Sequence, residues 1–223
     1  MELQTYPDRD ALMRGLATQI VDDLTAQLAR QGSATLAVPG GTTPGPVFDL
    51  LNTADLDWGR VTVMLSDERW VPETSERSNT RLLKQRLLIN KTAEAKYVPL
   101  YMDSETPEPV LNDLSESVSR HLPLSVVLLG MGADMHTASL FPGADRLEEG
   151  LDRAAPAVLP RRAAGAPEPR ITLTAPVLDG AGAKHVLITG PEKRAALEEA
   201  EPLTADQAPI KAVWRNLIVH WAE

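Results

Sequence analysis

Asp134 and His136 stand two residues apart, directly after the glycine-containing stretch Gly130-Met131-Gly132-Ala133. A neutral imidazole is a suitable general base near pH 7, and a carboxylate this close can cooperate with it. A histidine placed only for structure is the bland alternative. Ser139 follows three residues later and raises a Ser–His pair, but no G-x-S-x-G turn occurs to expose a serine nucleophile. A second segment, Ser66-Asp67-Glu68-Arg69-Trp70-Val71-Pro72, carries three charges in a row. It either sets a carboxylate and a guanidinium at one site or forms a solvated turn in which Arg69 pairs with a carboxylate. A third, Pro39-Gly40-Gly41-Thr42-Thr43-Pro44, combines glycines that let backbone N–H groups face an anion with hydroxyl donors. Phosphate is its natural guest; a tight strand-to-helix turn is the other explanation.

Each segment follows a short, continuous, β-branched run: Ala34 to Val38, Val61 to Leu65 and Ser125 to Gly130. Such runs suit parallel strands covered on both faces. Further strands are expected at Arg170 to Thr174, His185 to Thr189 and Leu217 to Trp221. Between them, Leu12, Leu16, Ile20, Leu24 and Leu28 mark a helix opened by Asp8 or Asp10 and closed by Gly32. An apolar helix starts near Gly45. Another is capped at Ser78 or Asn79 and carries Leu82, Leu83, Leu87 and Leu88, and a further one follows Pro107. This alternation predicts an α/β sandwich, Rossmann-like, around a mostly parallel sheet in a single domain over 1–223. The proline-rich stretch from Gly143 to Pro169 is expected to be a long surface excursion, either a lid or an inert loop. Ligands of such sheets bind at the carboxyl ends of the strands, where all three segments fall.

The 223 residues carry 22 Lys plus Arg against 31 Asp plus Glu, a formal charge of −9. No basic run is present, so a nucleic acid or an anionic membrane surface is not an expected partner. A small anion remains compatible, because a pocket can gather a few cations against the background charge. With no cysteine, thiolate catalysis, disulfides and cysteine-ligated metals are excluded. His121, His185 and His220 form no metal-ligand spacing with one another. No apolar run is long enough to span a membrane, and the N-terminus has no signal-peptide pattern, so a soluble, cytoplasmic protein is expected.

PGGTTP, SDERWVPETSERSN and GMGADMHTASLFPG, followed by RITLT and GPEKR, resemble in order and spacing the 6-phosphogluconolactonase family. That family belongs to a wider group that includes glucosamine-6-phosphate deaminases. The resemblance runs from about residue 5 to the C-terminus. It implies hydrolysis of 6-phospho-D-glucono-1,5-lactone in the oxidative pentose phosphate pathway, with no metal or organic cofactor. The partner would be the phosphosugar lactone itself, met by a monomer or weak homo-oligomer. By resemblance, His136 is the base for the attacking water and Asp134 orients or tunes it. Arg69 stabilises the oxyanion or contacts phosphate. Gly40, Gly41, Thr42 and Thr43 line the pocket, while Arg170 and Lys193 are phosphate contacts. The alternatives are a glucosamine-6-phosphate deaminase or isomerase, disfavoured by the SLFPG continuation, and a non-catalytic sugar-phosphate-binding protein.

Two positions depart from the family pattern. Pro39 stands where serine is usual, and Met135 replaces the glycine of Asp-Gly-His. If the latter position requires φ > 0, methionine is strained by roughly 1–3 kcal/mol. Its side chain would also be placed to crowd the pocket.

Overall fold

The computed structural model of the chain describes residues 1–162 and 167–223. Among these, seven strands form one parallel sheet: β1 (Glu2–Thr5), β2 (Ala34–Val38), β3 (Val61–Leu65), β5 (Lys96–Val98), β6 (Val126–Gly130), β9 (Ala183–Thr189) and β10 (Leu217–Ala222). Their order is β1-β10-β9-β6-β2-β3-β5. β2 and β3 are buried along their whole length, which explains why they read as unbroken apolar runs rather than alternating ones. From β2 the chain moves outward through β3 to β5, then returns to lay β6 on the other side of β2. The loops after β2 and β6 therefore diverge, and such a reversal opens a crevice at the carboxyl ends.

Helix α1 (Arg9–Gln31) packs against β2, β6 and β10 through its stripe of Leu12, Leu16, Ile20 and Leu24. Asp8, rather than Asp10, opens it: the Asp8 carboxylate accepts from the Ala11 N–H at 2.7 Å. Gly32 closes it at φ +77°, its N–H bonded to the Leu28 carbonyl, where a side chain would be strained. Beyond α2 (Gly45–Leu51) come α3 (Asn79–Arg86), α4 (Leu111–Ser119), α5 (Leu147–Leu151), α6 (Ala175–Asp179) and α7 (Pro191–Ala200). No helix among the described residues is long and apolar enough to cross a membrane.

A second, antiparallel sheet has the order β4 (Asp67–Arg69), β8 (Arg170–Leu173), β7 (Val158–Arg161). Ser66 joins the two sheets, its N–H donating to the Val38 carbonyl and its carbonyl accepting from Leu173, both at 2.8 Å. This corrects the expectation for 143–169. Much of that stretch is ordered structure, with α5 and the wholly buried β7 inside it, and 163–166 lie outside the described residues. Proline hid β7, because Pro160 argues against a central strand; β7 is the edge of its sheet, where proline is tolerated.

His185 on β9 and His220 on β10 meet inside the molecule. His185 Nδ1 lies 3.0 Å from His220 Nε2, His185 Nε2 lies 3.0 Å from Asp23 Oδ2, and the Tyr6 hydroxyl lies 2.9 Å from His220 Nδ1. An ionised Asp23 accepts from His185 Nε2–H, so the Nδ1 of neutral His185 accepts from His220 Nε2–H. His220 Nδ1 is then the acceptor for Tyr6. All four ring nitrogens of the two histidines therefore have a partner.

Candidate active site

The carboxyl ends of β2, β3, β6 and β9 surround a cleft of about 210 Å³. Its floor is Leu129, Gly130 and Leu187, from the ends of β6 and β9. One wall is the loop after β2, with Pro39, Gly40, Gly41, Thr43 and Pro44. Gly40 is required by close approach: a Cβ there would come within 2.1 Å of the Asn79 carboxamide. Gly41 is required by conformation, at φ +83°, and a Cβ on it would meet only open space. Thr42 is not in the wall; its carbonyl accepts from Gly45 N–H at 3.1 Å and closes the turn into α2.

The opposite wall is the small sheet. Residues two apart on a strand share a face, so Asp67 and Arg69 look into the cleft while Glu68 looks away. The register then sets Arg170 directly opposite Arg69. Glu68 is buried beneath α3, accepting from the N–H groups of Arg69, Asn79 and Thr80 and from the Ser78 and Thr80 hydroxyls. Burial pushes its carboxyl above the ordinary value, and these donors draw it back without cancelling the effect. Of the two carboxylates in the charged segment, Asp67 belongs to the cleft and Glu68 is the anchor beneath it. Arg69 does not pair with either; its Nη1 donates to the Arg77 carbonyl at 2.8 Å.

The third wall is the loop after β6. It turns tightly, with Met135 N–H donating to the Gly132 carbonyl and Gly132 N–H to the His136 carbonyl, each at 3.0 Å. Met135 has φ +65°, so the position does require the left-handed conformation. Its side chain packs half-buried against the core and does not line the cleft, so it does not crowd the pocket. Its carbonyl accepts from Ile210 N–H at 3.0 Å, which holds the strained residue from outside the loop. Gly132 faces the pair it supports, since a Cβ there would overlap the His136 ring and the Asp134 carboxylate.

His136 lines the cleft, and its Nδ1 is 2.5 Å from Asp134 Oδ1. Burial works to raise the Asp134 carboxyl, but the hydrogen bond from His136 and the charge of that ring outweigh it, and the carboxyl lies below the usual range. As an ionised acceptor Asp134 fixes the proton of His136 on Nδ1 and leaves Nε2 as the basic nitrogen. The Phe141 ring lies 4.4 Å from the imidazole and 5.5 Å from the Arg170 guanidinium carbon, a spacer between base and cation. Ser139 is not a nucleophile: it is buried, its hydroxyl donating to Asp67 Oδ2 at 2.6 Å. Gly190, at φ +84°, turns the chain from β9 into α7, whose first turn brings Lys193 to the rim.

The structure thus gathers His136, Arg69, Arg170, Lys193, Gly40, Gly41 and Thr43 around one cleft, with Asp134 behind the imidazole. Among titratable lining residues, three permanent cations face one carboxylate, Asp67, in a chain of net charge −9. Asp67, Asn79 and Phe141 were missed as site residues. Alternation along a strand would have exposed Asp67, but three charged residues do not read as one. In the sequence Asn79 shows only as a possible helix cap; Ser78 is the cap, accepting from Arg81 N–H, and the Asn79 amide instead donates to the Asp67 carbonyl.

The profile of the family described as glucosamine-6-phosphate isomerases/6-phosphogluconolactonase matches residues 7–221. The chain is 43% identical to a 6-phosphogluconolactonase of Rhizobium meliloti, over 99% of this chain and 98% of that protein. It is likewise 43% identical to a 6-phosphogluconolactonase of Mesorhizobium japonicum, over 97% and 93%. A crystal structure of a 6-phosphogluconolactonase from Shewanella baltica superimposes with a TM-score of 0.95 at 31% identity, covering 100% of this chain and 98% of that one. By profile, by identity over nearly its full length and by fold, the chain belongs to the glucosamine-6-phosphate isomerase/6-phosphogluconolactonase family.

Proposed function

We propose that this protein hydrolyses 6-phospho-D-glucono-1,5-lactone to 6-phospho-D-gluconate, a step of the oxidative pentose phosphate pathway. The observation that carries it is the His136–Asp134 pair set at the edge of a cleft that also presents Arg69, Arg170, Lys193 and the Gly40–Gly41 backbone. His136 Nε2 takes a proton from a water as its oxygen attacks the lactone carbonyl. Arg69, beside that carbonyl, stabilises the oxyanion that forms. Collapse of the tetrahedral intermediate breaks the bond to the ring oxygen, which takes the proton back from the imidazolium and becomes a hydroxyl. The new carboxylic acid then ionises. Asp134 holds the ring in the productive tautomer throughout.

The phosphate lies against the backbone of Gly40 and Gly41 with Thr43, Arg170 and Lys193, and this remote binding orients the carbonyl toward the base. Thr42, outside the lining, has no part in it. Neither covalent catalysis nor a cofactor is needed for so easily opened an ester. The unit of function is the single α/β domain 1–223, working in the cytoplasm as a monomer or weak homo-oligomer on a small phosphosugar. A methionine crowding the pocket would favour a binding-only role, and the Met135 side chain stands clear of the cleft.

The test is hydrolysis of freshly generated 6-phosphoglucono-1,5-lactone, corrected for spontaneous opening. Turnover well above background is expected. A folded protein that binds 6-phosphogluconate without accelerating ring opening would instead be a sensor.

A further inference from the structure

Ser139 has no part in the mechanism above, yet it is wholly buried three residues from the base. Its hydroxyl donates to Asp67 Oδ2 at 2.6 Å and its N–H to Thr172 Oγ1 at 3.1 Å. The Thr172 hydroxyl donates its own hydrogen to the Leu173 carbonyl at 3.0 Å, so its oxygen is the acceptor for Ser139. Asp67 and Thr172 are partners in the register of β4 and β8. One residue of the loop after β6 therefore grips both members of a cross-strand pair of the small sheet.

The neighbouring pair on the same face of that sheet is Arg69 and Arg170. Two residues along a strand span about 7 Å, and directly opposed side chains share a face. The row that holds the loop and the row that carries two of the cleft cations thus lie side by side on one template. Arg170 Nη1 is also 3.7 Å from Asp67 Oδ2, the oxygen that Ser139 engages. On the loop itself, the Thr137 hydroxyl donates to the Gly130 carbonyl at 2.9 Å, which ties the residue after His136 to the end of β6. Between the two ties Ala138 has φ +48°. A side chain disfavours that conformation, and it persists only where the surroundings over-determine it. Thr137 and Ser139, both wholly buried, hold it from either side.

We propose that Ser139 is a positioning residue for His136: by gripping the Asp67–Thr172 pair it sets the imidazole at a fixed place relative to Arg69 and Arg170, so that base and oxyanion cation act on the same carbonyl. This rests on the lactonase reading above. A base displaced by a fraction of its hydrogen-bond length loses rate steeply, whereas a phosphate bound to the glycine loop and Lys193 does not sense the change.

The test compares wild type with Ser139→Ala, Thr172→Val and Thr172→Ser at a temperature where thermal unfolding shows each protein folded. Lactone kinetics, binding of inorganic phosphate and nitrogen NMR of the imidazole rings are measured, the His136 signals being those lost in His136→Ala. Ser139→Ala should lower kcat at least about ten-fold, with KM and phosphate affinity within about three-fold, and should shift or broaden the His136 signals. Thr172→Val should act in the same direction, while Thr172→Ser, which keeps the acceptor, should hold kcat within about two-fold of wild type. A folded Ser139→Ala with wild-type kcat and unmoved His136 signals would overturn the inference, whatever stability it had lost. A rise in KM alone would overturn it too, because Ser139 would then serve ligand binding. Should Ser139→Ala not fold, Thr172→Val against Thr172→Ser decides by the same measures; failure of both Ser139→Ala and Thr172→Val to fold would make the contact purely structural and end the inference. If wild type itself does not open the lactone, the lactonase reading fails, and the His136 signals still report whether Ser139 places the ring.

Discussion

Among the described residues an imidazole meets an aspartate twice, His136 with Asp134 and His185 with Asp23, and the two pairs have opposite surroundings. His136 and Asp134 sit on a loop, with side chains 30% and 55% exposed. Among the described residues the ring has a partner on Nδ1 and none on Nε2, and it lines the cleft. His220 and His185 are wholly buried between strands, with all four ring nitrogens engaged in the chain that runs from Tyr6 to Asp23. Burial and the neighbouring His185 push the His220 imidazole down to about 3, against a smaller upward pull from Asp23. The same two residue types therefore make a base in one place and a neutral structural tie in the other. What separates them is backbone: one pair rides a turn strained at Met135, the other joins β9 to the long helix α1 and is backed by His220 on the neighbouring β10.

The largest effect should come from the open pair. His136→Ala is expected to lower kcat for lactone opening by at least ~10²-fold with unfolding unchanged. A folded variant with wild-type turnover would remove His136 from the mechanism and erase the functional half of the contrast. The sealed pair should answer to pH instead. An unfolded histidine takes up a proton near pH 6.5, while buried His220 refuses it until about pH 3. Between those values the unfolded chain binds more protons, so stability falls as pH falls; above 6.5 His220 contributes no slope. Roughly 2 kcal/mol should be lost between pH 7 and pH 5 from this residue. Chemical unfolding across that range would measure it, with His220→Gln giving a lower but flatter profile. Equal slopes in both proteins would mean that the relay is not what acid disrupts.

How far the sequence could announce these features depended on whether the signal was local. β2, β3 and β6 were legible because burial on both faces leaves an apolar run, and the motifs after them marked the cleft. His136, Arg69, Arg170, Lys193 and the glycine loop were placed together through those motifs. β4 and β7 were illegible because their identity as strands comes from pairing with β8, not from their composition of three charges or a proline. Asp67 went unseen with them, and so did the fact that Glu68 and Asp67 face opposite ways. The relay escaped for the same reason: the sheet order brings Tyr6, His185 and His220 together, and the packing of α1 on the sheet brings Asp23 to them.

A third test sharpens the difference in what the two regions are for. Lys193→Ala removes a cation from the rim, and KM should rise about ten-fold with kcat little changed, as for loss of uniform binding. Because Lys193 stands at a surface cleft rather than in the core, thermal unfolding should shift by less than about 0.5 kcal/mol equivalent. A fall in kcat with constant KM would place Lys193 beside the reacting carbonyl and not the phosphate.

The smallest effect is expected at the residue on which the open pair stands. Met135→Gly relieves a left-handed conformation that disfavours a side chain by roughly 1–2 kcal/mol. It also frees the unfolded chain and removes a half-buried side chain from the core, losses of similar size. The opposing changes should nearly cancel, leaving stability within about 1 kcal/mol of wild type by denaturant unfolding. Activity should stay within about two-fold, because the Gly132–His136 turn and the Ile210 tie to the residue 135 carbonyl are backbone bonds that glycine keeps. A large gain in kcat would show that methionine holds His136 away from its best position. A large loss would show the reverse: that the packing of Met135 against the core, and not the backbone alone, keeps the imidazole in place.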